Sequence, residues 1–142
     1  MAWLPKQTVV APVDFSEDSF KAVDTALELV DGPAHVHVVH VLPLLAVTEP
    51  GVSWDTIDDQ SRREHATEAL RQRFADAPHA GVRIEVLFGD PGSEIVDYAN
   101  RMQADLILLP SHGRTGIRRL LLGSVAERVA RMAHCPVLVL RQ

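Results

Sequence analysis

The stretch LILLPSHGRTGIRRLLLGSVAERVARMAHCPVLVL, residues 106–140, decides the fold of this 142-residue chain. It begins with a short apolar run that ends at Pro110, which is typical of a buried strand. A loop with three glycines and three arginines follows, and the spacing of Ser124 and Glu127 is that of a capping box at a helix start. The stretch closes on another apolar run. It therefore predicts a strand, a glycine-rich loop, a helix and a second strand.

The rest of the chain alternates in the same way between apolar runs and amphipathic segments. Further strands are predicted at residues 8–14, 35–43 and 82–88. Further helices are predicted from the N-cap Ser16, over about residues 54–77, and from the N-cap Asp90. The alternating pattern of the third strand is typical of a sheet edge. Strands that alternate with helices predict one α/β domain over residues 1–142, with a doubly wound, mostly parallel sheet covered on both faces.

The composition argues against several classes of protein. The net charge is -5, so a general nucleic-acid or membrane-surface binder, which needs a basic face, is not expected. The start of the chain lacks a basic leader with an apolar segment, and no apolar run approaches the ~18 residues of a membrane span. Because Cys135 is the single cysteine, no internal disulfide can form. We therefore expect a soluble cytoplasmic protein.

Two features are expected to meet at one edge of this sheet. In a doubly wound sheet, ligands bind beyond the carboxyl ends of the strands, where the winding direction reverses. Asp14 lies at the carboxyl end of the first strand, and its carboxylate can accept hydrogen bonds from ribose hydroxyls or an adenine amino group. The loop after Pro110 can approach a ligand closely, and the helix start at Ser124 favours a phosphate. Together they predict a nucleotide site, although the sequence has neither a P-loop nor a G-x-G-x-x-G motif.

The blocks VVAPVDFSEDS (residues 9–19) and SHGRTGIRRLLLGSVAERVARMAHCPVLVL (residues 111–140) resemble the universal stress protein family, and the similarity covers essentially the whole chain. The resemblance implies a five-stranded sheet of order 3-2-1-4-5 with the adenine nucleotide alpha hydrolase-like fold. It also implies binding of ATP or AMP, with Mg²⁺ or Mn²⁺ near the phosphates when ATP is present. The family's usual homodimer implies pairing through the last strand, at Val137, Leu138, Val139 and Leu140.

The nucleotide-binding branch of this family carries the pattern G-x-x-G-x9-G-[ST]. Gly113, Gly123 and Ser124 match it, whereas Pro110 replaces the first glycine and removes one N–H donor. Asp14 matches the aspartate that contacts adenosine in the family, and Val41 matches a position that touches adenine through its backbone. The nucleotide-binding residues implied by the match are Pro12, Val13, Asp14, Val41, Ser111, His112, Gly113, Arg114, Gly123, Ser124 and Val125. The match assigns no residue to a metal.

Three hypotheses for the function stay open at this point. The first is a nucleotide-binding dimer that regulates the stress response, with a shape or partner affinity set by bound ATP or AMP. The second is a very slow ATPase, because a P-loop lysine is absent and His112 is the nearby candidate base. The third is a dimeric partner-binding module without a nucleotide, which Pro110 favours.

Several of these residues also have purely structural interpretations. Asp14 could cap the first helix, although Ser16 is the better cap. The Ser124 hydroxyl could cap the last helix instead of binding a phosphate. The three histidines of residues 35–40 are interpreted as core or strand-end residues and not as metal ligands, because His35 and His37 share one face of a strand whereas His40 points to the other.

Overall fold

The computed structural model describes residues 2–45, 58–112 and 122–141. The strands are β1 (Val9–Pro12), β2 (Val36–Leu42), β3 (Arg83–Phe88), β4 (Leu106–Pro110) and β5 (Val137–Leu140). The helices are α1 (Glu17–Glu28), α2 (Asp59–Arg73), α3 (Pro91–Arg101) and α4 (Ser124–Met132), and a short 3-10 helix spans Pro33–His35. Over these residues the strands form one parallel sheet in the order β3-β2-β1-β4-β5, which confirms the predicted fold.

The central strands β1 and β4 are buried on both faces, which explains why they are continuous apolar runs. Along β1, Val9 and Ala11 pack into the core under α1 and α2, whereas Val10 packs into the core under α3 and α4. β3 lies at one edge of the sheet, as its sequence predicts, and exposes Arg83 and Glu85. In the described parts of the chain, every helix is too short or too polar to cross a membrane.

The winding direction of the sheet reverses between β1 and β4. The chain runs outward from β1 through β2 to β3, then crosses to β4, where Leu106 lies opposite Val9. At the amino ends, the Asp105 carboxylate accepts hydrogen bonds from the backbone N–H groups of Gln7 (2.9 Å) and Thr8 (3.0 Å). Asp105 therefore closes this end of the strand pair, and the crevice for a ligand opens at the carboxyl ends.

Local sequence signals set the starts of α1 and α3 as predicted. Ser16 Oγ accepts a hydrogen bond from the Ser19 N–H at 3.2 Å, and the Asp90 carboxylate accepts one from the Ser93 N–H at 3.0 Å. The hydrogen bond from the Ser93 backbone is also the main reason that the pKa of Asp90 lies below its usual value. Both helices therefore begin where a short polar side chain satisfies their first N–H groups.

The start of α4 corrects the predicted capping box. Gly123 is the N-cap, with an extended ψ of 161°, and its carbonyl accepts a hydrogen bond from the Glu127 N–H at 2.9 Å. The Gly123 N–H donates to the Ser111 carbonyl at 2.7 Å, which holds this residue outside the helix. Ser124 is therefore the first helical residue, so its hydroxyl is not the cap that the spacing to Glu127 indicates.

Helix α2 is shorter than the sequence predicts. Asp58 is its N-cap and accepts a hydrogen bond from the Ser61 N–H, so the described helix starts after it. Residues 54–57 of the prediction lie outside the described residues. The predicted extension over residues 74–77 is wrong, because Pro78 disfavours a helical backbone at the residue before it.

A buried hydrogen bond between β2 and α3 should make the stability depend on pH. His37 Nδ1 lies 2.7 Å from the Tyr98 hydroxyl, and burial is the main cause that lowers the pKa of His37 below 6.5. Below about pH 6.5 the unfolded chain therefore binds more protons than the folded protein, so the free energy of unfolding falls as the pH falls. We expect His37→Gln, which cannot take up a proton, to flatten this acid-side slope in urea melts between about pH 7.5 and 5.5.

The matched control for this prediction is His65→Gln, because His65 is an exposed residue of α2. That variant should keep the slope of the unmodified protein. An unchanged slope in His37→Gln would show that another group sets the acid sensitivity.

Candidate functional site

A cavity of about 280 Å³ opens at the carboxyl ends of β1 and β4. Of the predicted site residues, those that line it are Pro12, Val13, Asp14, Val41, Ser111, Gly123, Ser124 and Val125. The lining residues that the sequence did not indicate as site residues are Ser19, Val39, His40, Pro91, Ile95, Leu109, Pro110 and Ala126. His112 follows Ser111 but is not a lining residue, and Gly113 and Arg114 lie outside the described residues. Two segments distant in sequence thus meet at one cavity.

The acidic end of the cavity is the carboxylate of Asp14. Its Oδ1 accepts hydrogen bonds from the N–H (3.0 Å) and the hydroxyl of Ser16, and Ser16 in turn caps α1. The Ser19 hydroxyl donates to the Ser16 carbonyl at 2.8 Å and accepts from the Asp14 N–H at 3.3 Å. Asp14 is therefore not the helix cap itself. The hydrogen bonds from Ser16 orient its carboxylate.

The turn that presents Asp14 depends on an unusual backbone conformation at Phe15. Its φ of 66° is left-handed, which is uncommon for a residue other than glycine. The Phe15 ring packs edge-on against Phe20 and His40, with centroid distances of 6.1 Å and 4.8 Å. This conformation could not be predicted from the sequence, because the packing that holds it comes from another strand and a helix.

The middle of the cavity is bordered by the backbone of Val41. The Val13 N–H donates to the Val39 carbonyl at 2.8 Å, and the Gly89 N–H donates to the Leu42 carbonyl at 2.9 Å. Backbone groups of alternate residues point to the same side of a strand, so Val39 and Val41 face β1 whereas Leu42 faces β3. The backbone of Val41 therefore points to the β1 side, beyond the end of β1 at Pro12, and Val41 is a lining residue of the cavity.

The walls around this backbone are mostly apolar. Val39 of β2 and Leu109 of β4 come from the two strands on either side of β1, and Ile95 of α3 belongs to the same apolar core. Ile95 and Val39 are almost completely buried, so this part of the cavity wall is apolar. A flat, weakly polar ring suits such a space.

The far end of the cavity is the start of α4. The first N–H groups of a helix have no partner inside the helix, and its dipole is positive at this end. A Cβ atom on Gly123 would lie 3.1 Å from the Ser111 carbonyl oxygen and 3.3 Å from His112 Cα. Glycine therefore lets α4 begin this close to the end of β4 without the shift of a few tenths of an ångström that a side chain would require.

The end of β4 itself offers few donors to an anion. Pro110 has no N–H, and the Ser111 N–H donates to the Leu140 carbonyl of β5 at 2.8 Å. The Ser111 hydroxyl lies 3.3 Å from His112 Nδ1. Among the described residues, the N–H groups at the start of α4 are therefore the clearest anion donors of the site.

No group of three or more histidine, cysteine, aspartate or glutamate side chains in the described residues could hold a metal ion. The nearest arginines of α4 are already paired, Arg128 with Asp90 at 3.1 Å and Arg131 with Glu127. Within the described part of the chain, the charges at the site are therefore the Asp14 carboxylate and the positive end of the α4 dipole.

The comparisons with known proteins agree with this geometry. Universal stress protein MJ0531 of Methanocaldococcus jannaschii is 40% identical over 140 residues, which cover 94% of this chain and 81% of that protein. The solved structure of the universal stress protein UspA from Lactobacillus plantarum has a TM-score of 0.74 and 27% identity, covering 96% of this chain and 99% of that chain. These likenesses confirm the predicted adenine nucleotide alpha hydrolase-like fold.

A third relative was solved with a ligand. The universal stress protein from Archaeoglobus fulgidus in complex with dAMP is 25% identical, with a TM-score of 0.54 and coverage of 98% of both chains. The family model described as "Universal stress protein family" matches residues 6–141. The chain therefore belongs to the universal stress protein family.

Proposed function

We propose that this protein binds ATP or AMP in the crevice beyond β1 and β4 and acts as a dimeric regulator of the stress response. The observation that carries the proposal is a single cavity with a carboxylate at one end and a glycine-capped helix start at the other, formed by Asp14 and Gly123. The dAMP complex of the Archaeoglobus fulgidus relative supports an adenine nucleotide as the ligand.

Each part of the nucleotide has a matching part of the cavity. The Val41 N–H and carbonyl can bond the adenine N1 and amino group, with Val39 and Ile95 against the ring faces. The Asp14 carboxylate accepts from the ribose hydroxyls. The volume of about 280 Å³ is near the lower bound of about 300 Å³ for ligand pockets, which suits a nucleoside with its phosphates at the mouth beside Ser124.

With ATP, Mg²⁺ or Mn²⁺ would be bound mainly by the phosphates. Mg²⁺ keeps several waters and commonly binds through substrate phosphates, so it does not need a cage of protein ligands. The described residues offer no such cage, and the exposed Ser124 hydroxyl is a side-chain oxygen available at the phosphate end. The metal would supply charge neutralisation of the phosphate tail.

The dimer would form through β5, the edge strand next to β4. The carbonyls of Pro136 and Leu140 accept hydrogen bonds from the β4 side, so the backbone groups of Val137 and Val139 point to the opposite, outer side. An apolar edge with outward N–H groups is a template for another strand. The twin copy is the occupant that we propose, in antiparallel pairing.

The crevice and this edge share a structural element through which a nucleotide could act. Ser111 lines the cavity, and its N–H bonds Leu140 of β5. A ligand that prefers one arrangement of this strand end shifts the population of dimers toward that arrangement. The proposal places this regulator in the cytoplasm, which a chain with the single cysteine Cys135 favours.

The function is tested by isothermal titration calorimetry on protein stripped of bound nucleotide by unfolding and refolding. We expect AMP and ATP to bind with dissociation constants of about 1–100 μM, and GTP to bind at least about tenfold more weakly. Freshly purified protein should release adenine nucleotide when it is denatured. The absence of both heat and thermal shift at about 1 mM ATP would remove the nucleotide from the proposal and leave a partner-binding dimer.

A further inference from the structure

The His40 side chain contacts both chain neighbours of Asp14. Its Nδ1 lies 2.8 Å from the carbonyl oxygen of Val13, and its ring meets the ring of Phe15 edge-on at 4.8 Å. We propose that His40 is a positioning residue, which sets the place of the Asp14 carboxylate for the ribose hydroxyls. This inference rests on the proposed function and assigns a role to a residue that is itself outside the predicted ligand set.

The hydrogen bond from His40 fixes the end of β1. A carbonyl oxygen only accepts, so Nδ1 carries the proton and donates to Val13. The bond joins β2 to the residue directly before Asp14, beyond the last residue of β1 at Pro12. This hydrogen bond holds the Val13 carbonyl in place, so it fixes the direction in which the backbone leaves β1.

The ring contact fixes the residue after Asp14. Phe15 is held at a φ of 66°, a conformation that persists only where the surrounding structure enforces it. His40 packs on one part of the Phe15 ring and Phe20 on another, and Phe20 belongs to the core under α1. His40 therefore supports the left-handed turn from the strand side while the helix supports it from the other.

Movement of this turn would displace the carboxylate. The hydrogen bonds from Ser16 to Asp14 span only two residues, so their geometry follows the backbone of Phe15. Charged ligand contacts lose much of their strength when the partner shifts by about 1 Å. Because His40 directly precedes Val41, a single strand would set both the adenine contact and, through His40, the ribose contact.

The test compares adenosine with 2′,3′-dideoxyadenosine, which lacks the hydroxyls that Asp14 would bind. We expect His40→Leu to weaken adenosine binding about tenfold and to weaken dideoxyadenosine binding less than about twofold. His40→Asn should stay within about threefold of the unmodified protein, because its amide nitrogen lies near the place of Nδ1. His40→Gln puts its nitrogen near the place of Nε2 and should behave like His40→Leu.

The matched control is His35→Leu. His35 Nδ1 bonds the Gln7 carbonyl at 2.7 Å, so it makes the same kind of bond at the amino end of the sheet, away from the cavity. This variant should leave both nucleoside affinities unchanged. Asp14→Asn should lose the preference for adenosine, and adding His40→Leu to it should cause no further loss of that preference.

The outcomes separate this inference from the proposed function. If the unmodified protein binds neither the two nucleosides nor AMP and ATP, the proposed function fails and His40 has nothing to position. If Asp14→Asn loses the adenosine preference while His40→Leu keeps it, the function stands and the inference is wrong. Equal weakening of both nucleosides in His40→Leu would also overturn it, because that result indicates a merely structural role. If His40→Leu does not fold, the contrast between His40→Asn and His40→Gln decides.

Discussion

Gly123→Val is expected to weaken AMP binding roughly 100-fold. The first atom of the new side chain would lie 3.1 Å from the Ser111 carbonyl oxygen and 3.3 Å from His112 Cα, and neither backbone atom can move aside easily. The start of α4 and the end of β4 must therefore move apart by at least a few tenths of an ångström, which we expect to weaken the hydrogen bonds from the helix N–H groups to the proposed phosphate. Loss of two charge-assisted hydrogen bonds at about 1.5 kcal/mol each corresponds to this change in affinity.

Gly32→Val is the matched control for this substitution. Gly32 has an extended φ of -159°, and a Cβ atom there meets no other atom within 4 Å. It should therefore bind AMP like the unmodified protein. Gly123→Val should also lose about 1–3 kcal/mol of stability from overpacking, so titrations belong well below its melting temperature. If folded Gly123→Val bound AMP within about threefold of normal, the phosphate would have to bind elsewhere.

Val139→Pro is expected to convert a dimer into a monomer, with a dissociation constant raised at least about 100-fold. The carbonyls of Pro136 and Leu140 accept hydrogen bonds from the β4 side, and backbone groups alternate in direction along a strand. The N–H of Val139 therefore points away from β4. Proline removes one outward donor and is tolerated on an edge strand. Sedimentation at about 10 μM should give a dimer for the unmodified protein and a monomer for the variant.

The same substitution one residue earlier is the control. The N–H of Leu138 points toward β4, so Leu138→Pro should break the sheet and lower the melting temperature rather than only separate the subunits. The melting temperature of Val139→Pro should be close to that of the unmodified chain in its monomeric form. A dimeric Val139→Pro would place the interface on another surface, and a monomeric unmodified protein would remove the dimer from the proposal.

The parts of the fold that could be predicted from sequence are those set by local chemistry. Apolar runs bounded by polar caps identified the strands, and Ser16 and Asp90 were predicted as caps because their bonds span three residues. The strand order followed only from the family resemblance. The start of α4 was misjudged by one residue because the Gly123 bond to Ser111 joins different elements, which a spacing rule does not include.

The same distinction applies to the cavity. Asp14 was predicted as a ligand residue because a carboxylate at a strand end has a recognisable chemistry. Leu109 and Pro91 line the cavity only because two other elements bring them there, and neither has a chemical signature of its own. His40 was interpreted as a strand-end histidine, but its bond to Val13 spans 27 residues and required the paired strands.

The left-handed conformation of Phe15 affects the thermodynamic signature of ligand binding. A non-glycine residue in this region costs about 1 kcal/mol, whereas glycine would adopt it freely. A glycine here would also let the turn sample many conformations without a ligand, and binding would have to restrict it to one. The wedged aromatic ring leaves the turn rigid beforehand, so little conformational entropy remains to be lost on association. Adenosine binding to this chain is thus expected to carry only a small penalty in conformational entropy at this turn.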